Sequence, residues 1–289
     1  MPNQNHLPNL SKLVQYDVGK RGISNMFDPS QLINSTQALA SFDFPRSHFV
    51  LISGFYIPSL QVAETDGPPG LFTLANCLLK LGSKLTILTP KSCLPIISAA
   101  LSPLTTTFPN LLSLLSVDNV IPELSFDAVI TIEAVGAAED GKCYTMRGFD
   151  CSNFACPSLD SVLTRAQDLA VPSVCIGDGG NELGMGNFKE IVHSNVPLGS
   201  VICSRSLCSL PFVVGVSNWG CFALVIALSL ELNNSSVMPS VEEEHDCLIR
   251  IVEAGAKDGV SGEGKESVDG FDWGFHKNLY EEMLALVQE

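Results

Sequence analysis

Apolar positions along the chain follow two rhythms. The run His48–Tyr56 (HFVLISGFY) is almost unbroken and rich in β-formers, and Pro58 stops it, so it predicts a buried strand. Leu71, Leu74, Leu78 and Leu81 then recur at helical spacing until Gly82, which predicts a helix. Lys84–Thr89 predicts a second strand, Cys93–Leu101 a short helix and Phe126–Ile132 a further strand. Ser158–Ala170 returns to helical spacing, Pro172–Ile176 predicts a strand, and Phe212–Val216 predicts the last one, feeding an apolar block from Cys221 to Leu230.

Strands alternating with helices predict an α/β fold: a Rossmann-like, mostly parallel sheet covered by helices on both faces, because each parallel crossover needs a helix to return the chain. A ligand site is then expected beyond the carboxyl ends of the strands. One domain over residues 1–289 is expected, with residues 1–16 a loose N-terminal segment. The polar stretch Asp258–Gly270 reads as a linker, but the terminal helix after it is too short to make a second domain.

Charge narrows the partners. There are 16 Lys+Arg against 31 Asp+Glu, a formal net charge of −15, and no basic run, which excludes a phosphate backbone as partner. Charged residues make up only 16% of the chain and mean hydropathy is +0.27, so the interior is extensive. The most membrane-like stretch, Pro211–Leu230, is interrupted by Ser217-Asn218-Trp219-Gly220, which leaves a block too short to span a bilayer and predicts a buried helix. Ten cysteines without CxxC spacing are expected to be reduced and buried, which favours an intracellular compartment. The five histidines lack metal-ligand spacing. No targeting signal is legible near the N-terminus.

Three segments combine glycine with acids or amides after predicted strands. Gly177-Asp178-Gly179-Gly180-Asn181-Glu182-Leu183-Gly184-Met185-Gly186 allows close backbone approach to a ligand, and a helix starting near Asn181 would aim free N–H groups at an anion. The plainer alternative is a helix cap followed by a tight turn. The stretch has neither the third glycine of a dinucleotide fingerprint nor the Gly-Lys-Ser/Thr of a P-loop, which disfavours a nucleotide-dependent enzyme. Glu64-Thr65-Asp66-Gly67-Pro68-Pro69-Gly70 offers two carboxylates that can bind ammonium, accept a proton or hold a cation, or simply cap a helix. Glu133-Ala134-Val135-Gly136 leads to Tyr144 and Arg147, whose planar fork suits a carboxylate, with a surface ion pair as the alternative. Asn218 or Ser217 is placed to cap the last buried helix.

These segments, together with Asp17-Val18-Gly19-Lys20-Arg21-Gly22, Asp140–Gly148, Gly215–Gly220 and Ser267–Gly270, resemble the C-terminal domain of the D-glutamate cyclase family over nearly the whole chain. The chain departs from the family pattern at Ala137, where arginine is usual, and at Cys143-Tyr144, in place of a tyrosine pair. The resemblance implies a carbon–oxygen hydro-lyase converting D-glutamate to 5-oxo-D-proline and water, in the cytoplasm or mitochondrial matrix. In full-length animal enzymes the domain follows a hydro-lyase-like partner domain. For that chemistry Glu64 or Asp66 is expected as base, Arg147 as clamp on the α-carboxylate, and Asp178, Gly179, Gly180, Asn181 and Glu182, with Tyr144 and Asn218, as substrate-binding residues. A divalent cation, Mg²⁺ or Mn²⁺, is expected on Asp178 and Glu182. The competing expectation is a non-catalytic regulatory domain that binds a small carboxylate or phosphate.

Overall fold

A computed structural model describes residues 6–118 and 121–287. Its main sheet has six strands: β1 (His48–Ser53), β2 (Lys84–Pro90), β3 (Leu112–Val117), β4 (Ala128–Ile132), β5 (Ser173–Gly177) and β6 (Leu210–Val213). They lie in the order β3-β2-β1-β4-β5-β6, and every neighbouring pair is parallel. The chain therefore runs outward from β1 on one side and returns to build outward from β4 on the other. The loops after β1 and β4 diverge, opening the crevice where doubly wound sheets bind ligands.

Helices cover both faces, as the alternation predicts. Pro68–Lys80, Leu94–Thr107, Ser217–Glu231 and Val241–Glu253 contribute to the larger apolar core, and Asp160–Asp168 packs into the smaller one. Ser217–Glu231 is apolar nearly all round and buried from Ser217 through Ser229, which is why it sits between other helices rather than at the surface. Among the described residues no helix is long and apolar enough to cross a membrane. All ten cysteines are buried and free.

Four sequence expectations are corrected. The segment expected to be loose forms the helix His6–Val14, whose Leu10 and Val14 are fully buried; residues 1–5 lie outside the described residues. Strand β3 has no counterpart in the sequence reading, because it is an edge strand with half-exposed positions and shows neither clean alternation nor a fully apolar run. No helix starts near Asn181: residues 178–185 stay irregular, and the helix Lys189–Asn195 begins later. The stretch 258–270 is no linker, since Asp258 is fully buried and accepts the backbone N–H groups of Val260, Ser261 and Gly270 at 2.8, 3.0 and 2.8 Å.

One buried acid makes stability depend on pH. Glu244, in Val241–Glu253, accepts the hydroxyls of Thr73 from Pro68–Lys80 and of Tyr280 from Trp273–Leu286, with Cys221 and Asp66 also facing it. Burial pushes its carboxyl up to about 8 against the hydroxyl bonds, which pull the other way. An acid bound more tightly by its proton in the folded state gives its full contribution below its ordinary value and loses it as pH rises toward about 8. Glu244→Gln is therefore expected to gain on the wild type by up to about 1.4 kcal/mol per pH unit from ~pH 5 to ~pH 8, then level off. Urea unfolding across that range checks this, and parallel pH profiles for the two proteins would contradict it.

Candidate functional site

The crevice between the β1 and β4 loops is a cleft of about 710 Å³, including its open mouth. Arg21, Glu64, Glu133, Asp178 and Asp269 line it, Arg147 and Phe149 stand at its rim, and Gly259 and Val260 close one side. Two loops meet closely at its floor. Gly67 takes φ +97°, and a Cβ there would stand 2.8 Å from that of Glu133, so only glycine lets the chain after β1 pass the chain after β4.

Arg21 ties three distant segments together. Asp17 accepts the backbone N–H groups of Arg21 and Gly22 at 2.7 and 2.8 Å, which folds the turn that aims the side chain inward. The guanidinium, 14% exposed, then bonds Asp178 after β5 at 2.7 Å and Asp269 near the C-terminus at 2.8 Å. Asp269 is presented by the turn between the short strands Ser267–Val268 and Phe271–Asp272. That turn is seated on His276, which accepts the Trp219 indole N–H on Nδ1 at 2.8 Å and faces the Val268 and Phe271 carbonyls with Nε2. Burial lowers the His276 pKa, in keeping with a neutral ring donating from Nε2.

The loop carrying Glu64 and Asp66 is held by a reciprocal clasp. Asp66 accepts the N–H groups of Ser217 and Asn218, both at 2.9 Å, at the start of Ser217–Glu231. Asn218 Oδ1 in turn accepts those of Gly67 and Gly70, also both at 2.9 Å, at the start of Pro68–Lys80. Each helix is thus capped by a side chain at the other's N-terminal end, Asp66 from the loop before one and Asn218 from the first turn of the other, where the sequence suggested a cap from within. Asn218 is spent on this clasp and stands behind the cleft wall. Glu64 is different: it is 8% exposed, and its carboxylate has no hydrogen-bond or ion-pair partner among the described residues. It rests against Gly259, where any side chain would collide with it.

The glycine-rich segment is organised from inside. Glu182 accepts the N–H groups of Asp178, Gly179 and Gly180 at 2.9, 2.6 and 2.7 Å, so the donors expected to face an anion point at the protein's own carboxylate. Asn181 Nδ2 donates to the Tyr144 carbonyl at 2.8 Å. The Tyr144 hydroxyl bonds Asp140 at 2.6 Å, and the ring does not line the cleft. Of the residues singled out in the sequence, the cleft brings together Glu64, Arg147 and Asp178. Asp66, Gly179, Gly180, Asn181, Glu182 and Asn218 do not line it and stand behind its wall.

The D-glutamate cyclase-like, C-terminal family model matches residues 10–284. The chain belongs to that family. It is also 29% identical to the human protein named D-glutamate cyclase, mitochondrial, over 95% of this chain and 50% of the human one. It thus spans about half the length of that curated relative.

Three cleft residues of this family member lie in segments that the sequence singles out but carry no role there: Arg21, Glu133 and Asp269. Each left a signal. Arg21 lies between two glycines with Asp17 before it, Glu133 directly follows the apolar run of β4, and Asp269 precedes a glycine. The backbone at Glu133 and Asp269 takes φ +42° and +55°, left-handed values uncommon outside glycine and frequent at working sites. Glu133 is steadied by the Ser217 hydroxyl, which donates to it at 2.7 Å.

The acids hold protons more tightly than free carboxylates do. Burial raises Glu64 well above its ordinary range, with the charges of Asp269 and Asp66 adding to it. Burial and Glu182 do the same to Glu133, and burial raises Asp178 even against the pull of Arg21. Asp66 is raised to about 7, by burial first and Asp269 second, with the Ser217 and Asn218 N–H groups opposing. Such a cluster attracts cations and can pass protons; it has few free donors for an anion. Asn218→Ala would orphan the buried Gly70 N–H, at about 1–3 kcal/mol, and leave the Gly67 N–H only its bond to Asp66 Oδ1. A matching drop in stability on urea unfolding is expected, and an unchanged midpoint would show that the clasp does not hold the loop.

Proposed function

We propose that this chain binds D-glutamate in the cleft and closes it to 5-oxo-D-proline with release of water. The reading is carried by one observation, the meeting of Glu64, Glu133, Asp178, Asp269 and Arg147 around a single cleft in a member of this family. The human relative's name adds the reaction class.

The chemistry sets the roles. The substrate nitrogen bonds to the side-chain carboxyl carbon, and one carboxyl oxygen departs as water with the two protons that the ammonium gives up. The acids around the cleft draw the ammonium end inward. Arg147, at the rim and without an ion-pair partner among the described residues, grips the α-carboxylate by its fork. Glu64, uncommitted to any hydrogen bond, takes a proton from nitrogen and delivers it to the departing oxygen. Asp66, with three backbone donors on its oxygens, is the anchor of the loop rather than the base. Ten free, buried cysteines favour an intracellular setting, and the mitochondrial matrix is the compartment suggested by the human relative's name.

The test is to incubate the purified chain with D-glutamate and follow 5-oxo-D-proline by chiral chromatography. Glu64→Gln is expected to lower kcat by about 10²–10⁴-fold. Arg147→Ala is expected to raise KM roughly tenfold and leave kcat nearly unchanged, as loss of uniform binding does. Because the chain spans half of its human relative, a second outcome has its own meaning: thermal stabilisation by D-glutamate without lactam would assign it a binding role only. Absence of both stabilisation and lactam would remove the proposal.

A further inference from the structure

We propose that Asp66, Asp178 and Asp269 form a site for one hard divalent cation, of the Mg²⁺ or Mn²⁺ class, at the inner end of the cleft. Each of the three offers a carboxylate oxygen within 4.8 Å of the others, close enough for one ion to touch all three. Their exposures are 2%, 4% and 8%, so water screens them little. Arg21 is the cation that pairs with this group, on Asp178 and Asp269. When all three are ionised, three carboxylates against one guanidinium carry two net negative charges, the complement of a single divalent ion. Ionising all three at this depth is costly, and a divalent ion offsets that cost.

A second observation points to a ligand independently of the cluster. Glu64, more than nine-tenths buried, faces the same cleft with no hydrogen-bond or ion-pair partner among the described residues. A carboxylate this deeply placed, unpartnered and facing the cleft is free to meet whatever the cleft receives. The donors here are all oxygens, with neither histidine nor thiol in the group, which selects a hard ion over zinc or copper.

The alternative set of Glu133, Asp178 and Glu182 has the same spacing but different chemistry. Glu182 already receives three backbone N–H groups, two on Oε1 and one on Oε2, and it holds the glycine loop in shape. Asp66 receives as many, two on Oδ1 and one on Oδ2, so the sets differ in the remaining acid: Glu133 takes the Ser217 hydroxyl, whereas the Asp269 carboxylate has only Arg21 among the described residues. The ion expected on Asp178 and Glu182 is therefore placed on Asp178 with Asp66 and Asp269. There it would offset the repulsion that a dicarboxylate meets on entering an acidic cleft. This goes beyond the proposed reaction, and metal binding is measured without D-glutamate, so either can fail alone.

The test uses the full chain stripped with a chelator and titrated with MnCl₂, followed by electron paramagnetic resonance and thermal unfolding. One saturable site with a rise in Tm is expected, with MgCl₂ competing for it. Asp269→Asn and Asp178→Asn, checked for native circular dichroism, are expected to weaken Mn²⁺ at least tenfold, and exposed Asp150→Asn to leave it unchanged. Should either cleft variant fail to fold, location is read on the wild type: Mn²⁺ should broaden the Arg21 side-chain nitrogen signal before that of Arg46, which precedes β1 at the far end of the sheet. Absence of saturable binding up to about 10 mM, above the weakest built sites, would overturn the proposal. So would equal binding by the cleft variants, or broadening that spares Arg21.

Discussion

The structure depends on one cation placed among buried acids. Arg21 enters the crevice from the N-terminal turn and bonds Asp178, which follows β5, and Asp269, which precedes the last helix. Without it these acids would repel one another across a desolvated gap, and the 267–272 turn would have no electrostatic reason to close over the sheet. Neutral bonds add to it. Thr65 donates its hydroxyl to the Ser267 carbonyl at 2.8 Å, and its N–H reaches the Lys257 carbonyl at 3.1 Å, which lays the Glu64 loop beside the C-terminal segment. The ion pairs gather the segments, and these bonds fix their register.

Phosphate-binding α/β proteins leave helix N-termini and glycine-loop amides open to an anion. Here both are occupied from within. Asp66 and Asn218 take the first N–H groups of two helices, and Glu182 takes three from the glycine loop. The same arrangement that stabilises the loops removes their anion affinity and leaves carboxylates facing the cavity. A Rossmann-like sheet has in this way been turned toward cations and protons without a change in strand order. These amides are therefore closed to a phosphate, and acids face the cavity in their place.

Much of this was legible in the sequence, for reasons that differ by element. Strand β1 and the helix after Gly67 were plain, because buried parallel strands are unbroken apolar runs and Gly82 ends the helix sharply. That the cleft would join Glu64, Arg147 and Asp178 also followed, since each lies in a glycine-containing loop after a strand. Strand β3 could not be read from an edge with mixed exposure. The 258–270 stretch looked like a linker because its polar residues bond its own backbone: a side chain serving an internal N–H and one serving water are the same letter. Direction was lost for the same reason. Nothing in the sequence separates an Asn218 that meets substrate from one that caps a neighbouring helix, because that depends on a partner loop some 150 residues away in the chain.

The left-handed backbone at Glu133 and Asp269 follows from where the acids must point. A residue continuing β4 in extended conformation would send its side chain to one face of the sheet, into a core layer, rather than across its end. Turning the chain at Glu133 costs on the order of 1–3 kcal/mol, and the bonds around it hold it there: its N–H to the Ile176 carbonyl at 3.2 Å and its carbonyl from the Gly54 N–H at 3.3 Å. The close pass of Gly67 then leaves no room for a relaxed alternative. Asp269 is fixed in the same way by the Asp258 carboxylate on Gly270 and by His276 under the turn. Acids held by strained, over-determined backbone cannot relieve their mutual repulsion by moving apart. They can do so only by taking up protons or a cation, which is the behaviour a site handling ammonium and water requires.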